Sequence, residues 1–149
     1  MTTIKKELID KLNTIIDTRL FNAKQAMDSA ADSRDNETKS SVGDKYETGR
    51  AMMQEEYDRS KVSYLKAKQL QSALKEIKLS DQKTVVTGAL VHTNGGKFFI
   101  SIGLGKIEIA DLAVFCISKE SPIGKAMLNK SESSTFLFNG KIHNIVKIE

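Results

Sequence analysis

The sequence contains no tryptophan, one proline and one cysteine among its 149 residues. A single cysteine excludes both an internal disulfide and a cysteine-pair metal site. Cys116 lies within an apolar run, which predicts a small core residue. No apolar run reaches the roughly 18 residues of a membrane helix, and the N-terminus lacks the apolar core of a signal peptide. We therefore expect a cytoplasmic protein.

The chain carries little excess charge of either sign. Its 23 basic and 19 acidic residues give a net charge of +4, and they are mixed along the sequence. This balance is only a weak indication of a nucleic-acid partner. Because 40% of the residues are hydrophobic and 28% are charged, the apolar residues are thinly spread. A single compact core for the whole chain is not expected.

The first half of the sequence predicts two long helices. Apolar residues recur every three or four positions from Ile4 to about Ser33, without glycine or proline, and again from Asp44 to about Leu79. Turn-forming and polar residues fill positions 34–43, which predicts a loop. A short loop favours antiparallel packing of the helices. Residues 1–79 should thus form a helical hairpin, or coiled coil.

The second half predicts a small antiparallel sheet from about residue 84, within a domain covering residues 80–149. Runs of β-branched and aromatic residues flank two turn signals, Asn94-Gly95-Gly96 and Asn139-Gly140. Ser121-Pro122 predicts a short helix over 122–129, because serine caps a helix and proline suits its first turn. The predicted fold class is α+β.

Two segments resemble the GreA/GreB family of transcript-cleavage factors. In the first, Ser121-Pro122-Ile123-Gly124 is followed by a basic residue, Ala-Met-Leu and then Lys130. It is similar to the family's Ser-Pro-Leu-Gly, a basic residue, Ala-Leu-Leu-Gly and Lys. Asn129 replaces the family's glycine, and Glu132-Ser133 stands where the family usually has Gly-Asp. These departures could alter a turn without changing the fold.

The second segment, Gly43-Asp44-Lys45-Tyr46-Glu47, resembles the family's Gly-Asp-Leu-Ser-Glu and keeps its acidic pair. Beyond it, Thr48-Gly49-Arg50 does not follow the family's Asn-Ala-Glu-Tyr. The resemblance is specific in these two segments and otherwise concerns the order of a long hairpin and a small α+β domain.

The resemblance implies an FKBP-like C-terminal domain that docks on RNA polymerase, through Ser121, Pro122, Ile123 and Gly124. It implies a hairpin that enters the secondary channel and places Asp44 and Glu47 beside the catalytic Mg²⁺. The polymerase would then cleave the 3′ end of backtracked nascent RNA. The chain would act as a monomeric elongation factor without its own turnover, and would hold Mg²⁺ only jointly with the polymerase.

The same residues have structural interpretations. Asp44 could cap the second helix, Glu47 could complete a capping-box-like pair, and the helix dipole favours acids in a first turn. Residues Ser121 to Leu128 could serve only to start and pack a helix. Other acids near the tip are Asp32, Asp35 and Glu37. Basic residues that could approach RNA phosphates are Lys39, Lys45 and Arg50.

Three other functions remain open at this point. A related secondary-channel factor could inhibit or modulate the polymerase without promoting cleavage. A prolyl isomerase is disfavoured, since the C-terminal half offers only phenylalanines to line an aromatic pocket. A coiled-coil adaptor would use the helices alone, and its tip acids would have no role.

Overall fold

The computed structural model of the chain describes the backbone of residues 3–40 and 44–149; side chains are described for these residues apart from 37–40 and 44–46. Two long helices come first, α1 over Thr3–Ser40 and α2 over Asp44–Lys75. The prediction of a long helical hairpin is confirmed.

The predicted loop at 34–43 is wrong for residues 34–40, which continue α1. This stretch is polar but contains no glycine or proline, so nothing in its backbone chemistry stops the helix. Residues 41–43 lie outside the described residues. The second helix ends at Lys75 rather than near Leu79, where i→i+3 bonds join Glu76 N to Ala73 O and Ile77 N to Leu74 O.

The sheet contains six strands in the order β3-β4-β2-β1-β6-β5. In chain order they are β1 Leu90–Thr93, β2 Gly96–Ile100, β3 Gly105–Ile109, β4 Leu112–Ile117, β5 Thr135–Phe138 and β6 Lys141–Ile148. One short helix, α3 over Pro122–Met127, lies between β4 and β5. The α+β class is confirmed, with α3 shorter than the predicted 122–129.

The sheet is mixed, which corrects the prediction of a wholly antiparallel one. After β2 the chain passes to β3 at the sheet edge, and β4 then returns between them, parallel to β2 and antiparallel to β3. Ala110 and Asp111 make the β3–β4 turn with φ of 45° and 67°. The sequence concealed this hairpin because its left-handed positions carry neither glycine nor asparagine.

A second correction concerns residues 85–89, predicted as part of a strand. Only Thr84 makes an isolated bridge, to Ser131, and strand pairing begins at Leu90. Val85 instead bonds through its backbone to Lys130 and Asn129. The segment is apolar because it is buried beside the end of α3, not because it belongs to the sheet.

Both faces of the sheet carry buried residues. On one face, Met127 of α3 and Phe136 join a cluster with Val91, Phe98 and Ile100. On the other face, neighbouring strands align a row of buried residues, namely Leu90, Phe99 and Cys116. Burial on both sides explains why the central strands have apolar residues at successive positions.

The chain divides into two compact units, one comprising residues 1–13 and 72–149 and the other residues 14–71. In the first unit Leu8, Leu12 and Leu74 are buried. Lys5 is also enclosed; its Nζ donates to the carbonyl of Ser80 at 2.9 Å, and burial lowers the pKa of its ammonium group. The predicted domain boundary near residue 80 stays a prediction. Among the described helices, none combines the length and apolar character needed to cross a membrane.

We expect Leu12→Ala to lower the free energy of unfolding by about 2–5 kcal/mol, because Leu12 has no exposed surface and its truncation leaves a cavity. Phe21→Ala is the matched control on the same helix, since Phe21 is 61% exposed, and it should change stability by no more than about 0.5 kcal/mol. Urea denaturation measures both. Equal losses would contradict the assignment of the buried side of α1.

Candidate functional site

The predicted acidic pair lies in the first turn of α2, directly after the end of α1 in sequence. Asp44 is the first residue of α2, and Glu47 is exposed one turn further on. Positions three apart on a helix share one side. The side chain of Asp44 lies outside the described residues, so its roles as a metal ligand or a helix cap both stay predictions. Glu47 is available to a partner.

The other ionisable residues near the tip lie on helices rather than in a loop. Asp32 and Asp35 are exposed on α1, and Asp35 accepts a hydrogen bond from Arg34 Nε at 3.0 Å. Arg50 is exposed on α2. The side chains of Glu37, Lys39 and Lys45 lie outside the described residues. Asp32 and Arg50 therefore present opposite charges to solvent in the same compact unit.

A polar network joins the two helices behind the tip. Arg34 Nη1 donates to Gln54 Oε1 at 2.8 Å, and Gln54 Nε2 donates to Asp58 Oδ1 at 3.0 Å. The Arg34 guanidinium also lies 5.4 Å from the centre of the Tyr57 ring. Such a cation–π contact contributes roughly 0.5–1 kcal/mol at an exposed site. The network fixes the register of α1 against α2.

Sequence reasoning missed this network because Arg34 opens the stretch predicted as a loop. A usable signal existed: Gln54 and Asp58 are four apart, and Tyr57 lies between them on the same helix. The buried residues of this unit are Ile16, Ala23, Ala30, Ser60 and Ala67. The contacts of Arg34 add to this packing of mostly small residues.

The predicted docking segment begins with a well-formed helix cap. Ser121 has extended backbone dihedrals, and its Oγ accepts a hydrogen bond from Gly124 N at 3.1 Å while donating to Ser118 O at 2.7 Å. Pro122 occupies the first turn, as predicted. The serine hydroxyl is therefore engaged in capping. Any contact it makes with a partner would have to preserve these bonds.

The remaining residues of the segment divide between packing and exposure. Gly124 is buried, and a Cβ placed there would lie 2.2 Å from Ser118 O. Pro122 is exposed, and Ile123 is half-buried against the core cluster. Within the segment, Pro122 and Ile123 are thus the residues with apolar surface to offer. The docking role of all four residues stays a prediction.

Ile123 also borders a shallow groove of about 310 Å³, which we call the Ile123 groove. Aromatic and polar side chains form its walls: Phe98, Phe115, Phe138, Asn139, Lys141 and His143. Phe98 and Phe115 stack with ring centres 5.7 Å apart. The lining of the groove is mostly apolar and includes one lysine, so it suits an apolar side chain with an acidic neighbour.

The other reactive groups of the described residues have structural environments. Burial raises the pKa of the Cys116 thiol to about 11, so this cysteine stays protonated at neutral pH. His92 Nε2 lies 2.6 Å from Glu149 Oε2, and His143 stacks on Phe136. The described side chains contain no cluster of three or more metal-binding groups. None of these residues suggests a second active centre.

The structure thus defines a protein with a long helical hairpin and a small mixed sheet, and with an exposed carboxylate in the first turn after the hairpin connection. No family model matches the chain, and a search of curated proteins finds no match. Among solved structures, GreA factor homolog 1 (Gfh1) of Thermus thermophilus is similar at 16% identity, covering 97% of this chain and 94% of that one, with a TM-score of 0.35.

Gfh1 of Thermus aquaticus is similar at 16% identity, covering 91% of this chain and 92% of that chain, with a TM-score of 0.34. Similarity at this level assigns neither a family nor a function to the chain.

Gly124→Ala should destabilise the sheet-containing unit by about 1–3 kcal/mol, because the new methyl group would meet a backbone carbonyl and the capping hydroxyl. Gly103→Ala is the matched control: no atom lies within 4 Å of the position that its new methyl group would occupy, and its φ is not positive. Thermal unfolding followed by circular dichroism compares the two variants. A neutral Gly124→Ala would show that the loop before α3 is not as tightly packed as described.

Proposed function

We propose that this chain is an RNA polymerase-binding elongation factor that inserts its hairpin into the secondary channel and stimulates Mg²⁺-dependent cleavage of backtracked nascent RNA. The observation that carries the proposal is the position of the acidic pair: α2 begins at Asp44, and Glu47 is exposed in its first turn. The proposal draws its biological content from the resemblance of residues 43–47 and 117–130 to the GreA/GreB family.

The donor set at the tip fits a shared metal ion. Mg²⁺ requires six oxygen ligands in near-octahedral geometry and is usually bound by one or two carboxylates together with waters and phosphates. Asp44 and Glu47 would supply that number of carboxylates, and the polymerase and RNA would supply the rest. By holding a second ion, Asp44 and Glu47 would supply metal-assisted phosphodiester hydrolysis with the means to activate a water molecule and to stabilise the leaving oxygen. The factor itself would not be an enzyme.

The length of the hairpin helices would allow the tip carboxylates to reach into the secondary channel. The part of α1 within its compact unit, residues 14–40, spans about 40 Å at the rise of an α-helix. The network of Arg34, Gln54, Asp58 and Tyr57 holds α2 in register with α1, and so limits sliding of one helix past the other. Positioning of this kind matters because misplacing a catalytic group by an ångström can reduce the rate by orders of magnitude.

Docking would use the sheet-containing unit. Pro122 and Ile123 expose apolar surface, and the Ile123 groove adds three phenylalanines next to them. Burying an apolar patch of this kind supplies binding energy, while the charge of Lys141 favours an acidic partner surface. The polymerase surface that meets this groove should therefore combine an apolar residue with a carboxylate.

A second function has a specific observation in its favour. After Glu47 the sequence Thr48-Gly49-Arg50 departs from the family pattern, and Arg50 is exposed on α2. A cation close to the acidic pair would compete with Mg²⁺ for the carboxylates. A factor of this kind would occupy the secondary channel and inhibit or modulate the polymerase without promoting cleavage.

Asp44→Asn should abolish most of the stimulation of transcript cleavage in a backtracked complex with Mg²⁺, while polymerase binding survives. Asparagine still caps a helix but is a neutral, poorer ligand for a hard cation. Asp44→Ala and Glu47→Ala should each reduce stimulated cleavage at least about tenfold, and the double variant should lose it. Asp17→Asn is the matched control, because Asp17 is an exposed acid on α1 that is not among the acids near the tip.

The capping interpretation gives a different outcome. Asp44→Ala would then lose about 0.5–2 kcal/mol of stability with normal cleavage once folded. Wild-type stimulation by Asp44→Asn would refute the metal role of Asp44. A wild-type protein that binds polymerase and suppresses cleavage would establish the inhibitory function instead.

Ile123→Asp should weaken polymerase binding at least about tenfold, because it places a charge where apolar surface is buried on docking. Val146→Asp, at an exposed position of β6, is the control and should bind normally. Surface-immobilised polymerase measures the affinity, and circular dichroism shows whether the sheet-containing unit stays folded. Normal binding by a folded Ile123→Asp protein would exclude this docking surface.

A further inference from the structure

One edge of the sheet is unpaired. Strand β5 is the terminal strand in the sheet order and pairs only with β6 among the described residues. An unpaired edge presents a row of backbone donors and acceptors to which another strand can add. This edge adjoins the Ile123 groove, which Phe138 and Lys141 line, but the inference drawn from it does not depend on the proposed function.

The register of the β5–β6 hairpin identifies the free backbone groups. Ile145 N donates to Ser134 O at 2.9 Å, so these two residues occupy a hydrogen-bonded position. Because hydrogen-bonded and non-bonded positions alternate in an antiparallel pair, Phe136 and Phe138 also bond to β6. The N–H and C=O groups of Thr135 and Leu137 therefore point away from β6, towards the open edge.

The edge strand lacks two of the features that commonly protect natural edges, since it carries no charged residue and no proline. It has a third such feature, because it is only four residues long. The sequence of β5 is Thr-Phe-Leu-Phe, and its pairing with β6 is regular. Leu137 is 66% exposed, and its cross-strand partner Ile142 is 69% exposed. An apolar pair thus lies open directly beside the free backbone groups.

A groove follows this edge. It has a volume of about 450 Å³, and its lining residues are Ala126, Lys130, Thr135, Phe136, Leu137 and Ile142. Its lining includes a lysine and no carboxylate. Lys141, at the other end of the strand, is exposed and pairs in register with Phe138. Neither lysine forms an ion pair with a described residue.

We propose that the β5 edge binds an extended segment of a protein partner in which acidic and apolar residues alternate. The segment adds a seventh strand by pairing with the backbone of Thr135 and Leu137. Its apolar side chains, all on one face, contact Leu137 and Ile142, and its acidic side chains neutralise Lys130 and Lys141. Backbone hydrogen bonds supply affinity, and the alternation of side chains supplies specificity.

A second copy of this chain is the less favourable occupant. Pairing two β5 strands antiparallel would bring Lys130 and Lys141 of one copy towards the same residues of the other. Like charges across such an interface oppose association, whereas a carboxylate in the incoming strand is attracted. Charge complementarity therefore selects an acidic segment over self-association.

The test uses two pools of fluorescent seven-residue peptides and the full-length protein. In one pool Asp or Glu alternates with Val, Ile or Leu; in the other Lys replaces the acids. Affinity selection should enrich members of the acidic pool and none of the basic pool, and the selected peptides are then titrated by fluorescence anisotropy. Failure to enrich the acidic pool, or equal enrichment of both, overturns the proposal.

Leu137→Pro and Leu137→Val form the matched pair of variants. Proline removes the free N–H of residue 137 without disturbing the bonds that Phe136 and Phe138 make to β6, and edge strands tolerate it. We expect the proline variant to bind the selected peptide at least about tenfold more weakly and the valine variant to bind within about threefold of wild type. Equal binding by both variants would exclude strand addition.

A third measurement does not require a variant of the protein. Methylating alternate backbone amides of the selected peptide blocks hydrogen bonding along one edge of it at a time. One methylated set should abolish binding to the wild-type protein, and the complementary set should leave it within about threefold. Unchanged binding of both methylated sets would overturn the proposal. A dimer whose population rises with protein concentration in sedimentation equilibrium, and that Leu137→Pro abolishes, would also overturn it.

Discussion

Residues 41–43 are all that separates Ser40, the last residue of α1, from Asp44, the first residue of α2. A connection this short makes the acids of the first α2 turn terminal features of the hairpin, whatever else the chain does. The positions of Asp44 and Glu47 also depend on the register of the two helices, because a shift of α2 along α1 would move both residues. The contacts of Arg34 with Gln54 and Tyr57 favour one register, and they add to the packing of Ile16 and of smaller buried residues.

A different constraint, burial of the sheet on both faces, determines the packing of the sheet-containing unit. Its central strands are buried on both faces, so their apolar residues need cover on both sides. On one face α3 supplies Met127, and the turn that starts this helix is fixed by the serine cap and by the absence of a side chain at Gly124. A single segment thus serves core packing and leaves Pro122 and Ile123 accessible. The same unit leaves the outer edge of β5 unpaired among the described residues, so it offers both an apolar surface and a strand edge.

Local chemistry determined which parts of this fold could be predicted. Helical periodicity over long, proline-free stretches identified α1 and α2, and Asn139-Gly140 identified the β5–β6 hairpin, where both turn residues have positive φ. The extension of α1 to Ser40 was missed because polar residues are compatible with both loops and helices. The position of β4 between β2 and β3 depends on pairing between residues distant in sequence, which no local pattern encodes. For the candidate site, the sequence predicted Glu47 in the first turn of the second helix, whereas the Arg34 network was missed because Arg34 was assigned to a loop.

The central claim is that the hairpin tip reaches the RNA 3′ end inside the polymerase. Site-specific cross-linking tests it directly. Because Cys116 is buried and its thiol pKa is raised to about 11, a cysteine introduced at the exposed position Thr48 can be labelled selectively with a photoreactive group. In a backtracked complex carrying radiolabelled RNA, the account predicts a cross-link from position 48 to the 3′-terminal nucleotides, lost when the complex is not backtracked. Cross-links from position 48 only to the outer surface of the polymerase, or none in a complex that the protein demonstrably binds, would contradict it.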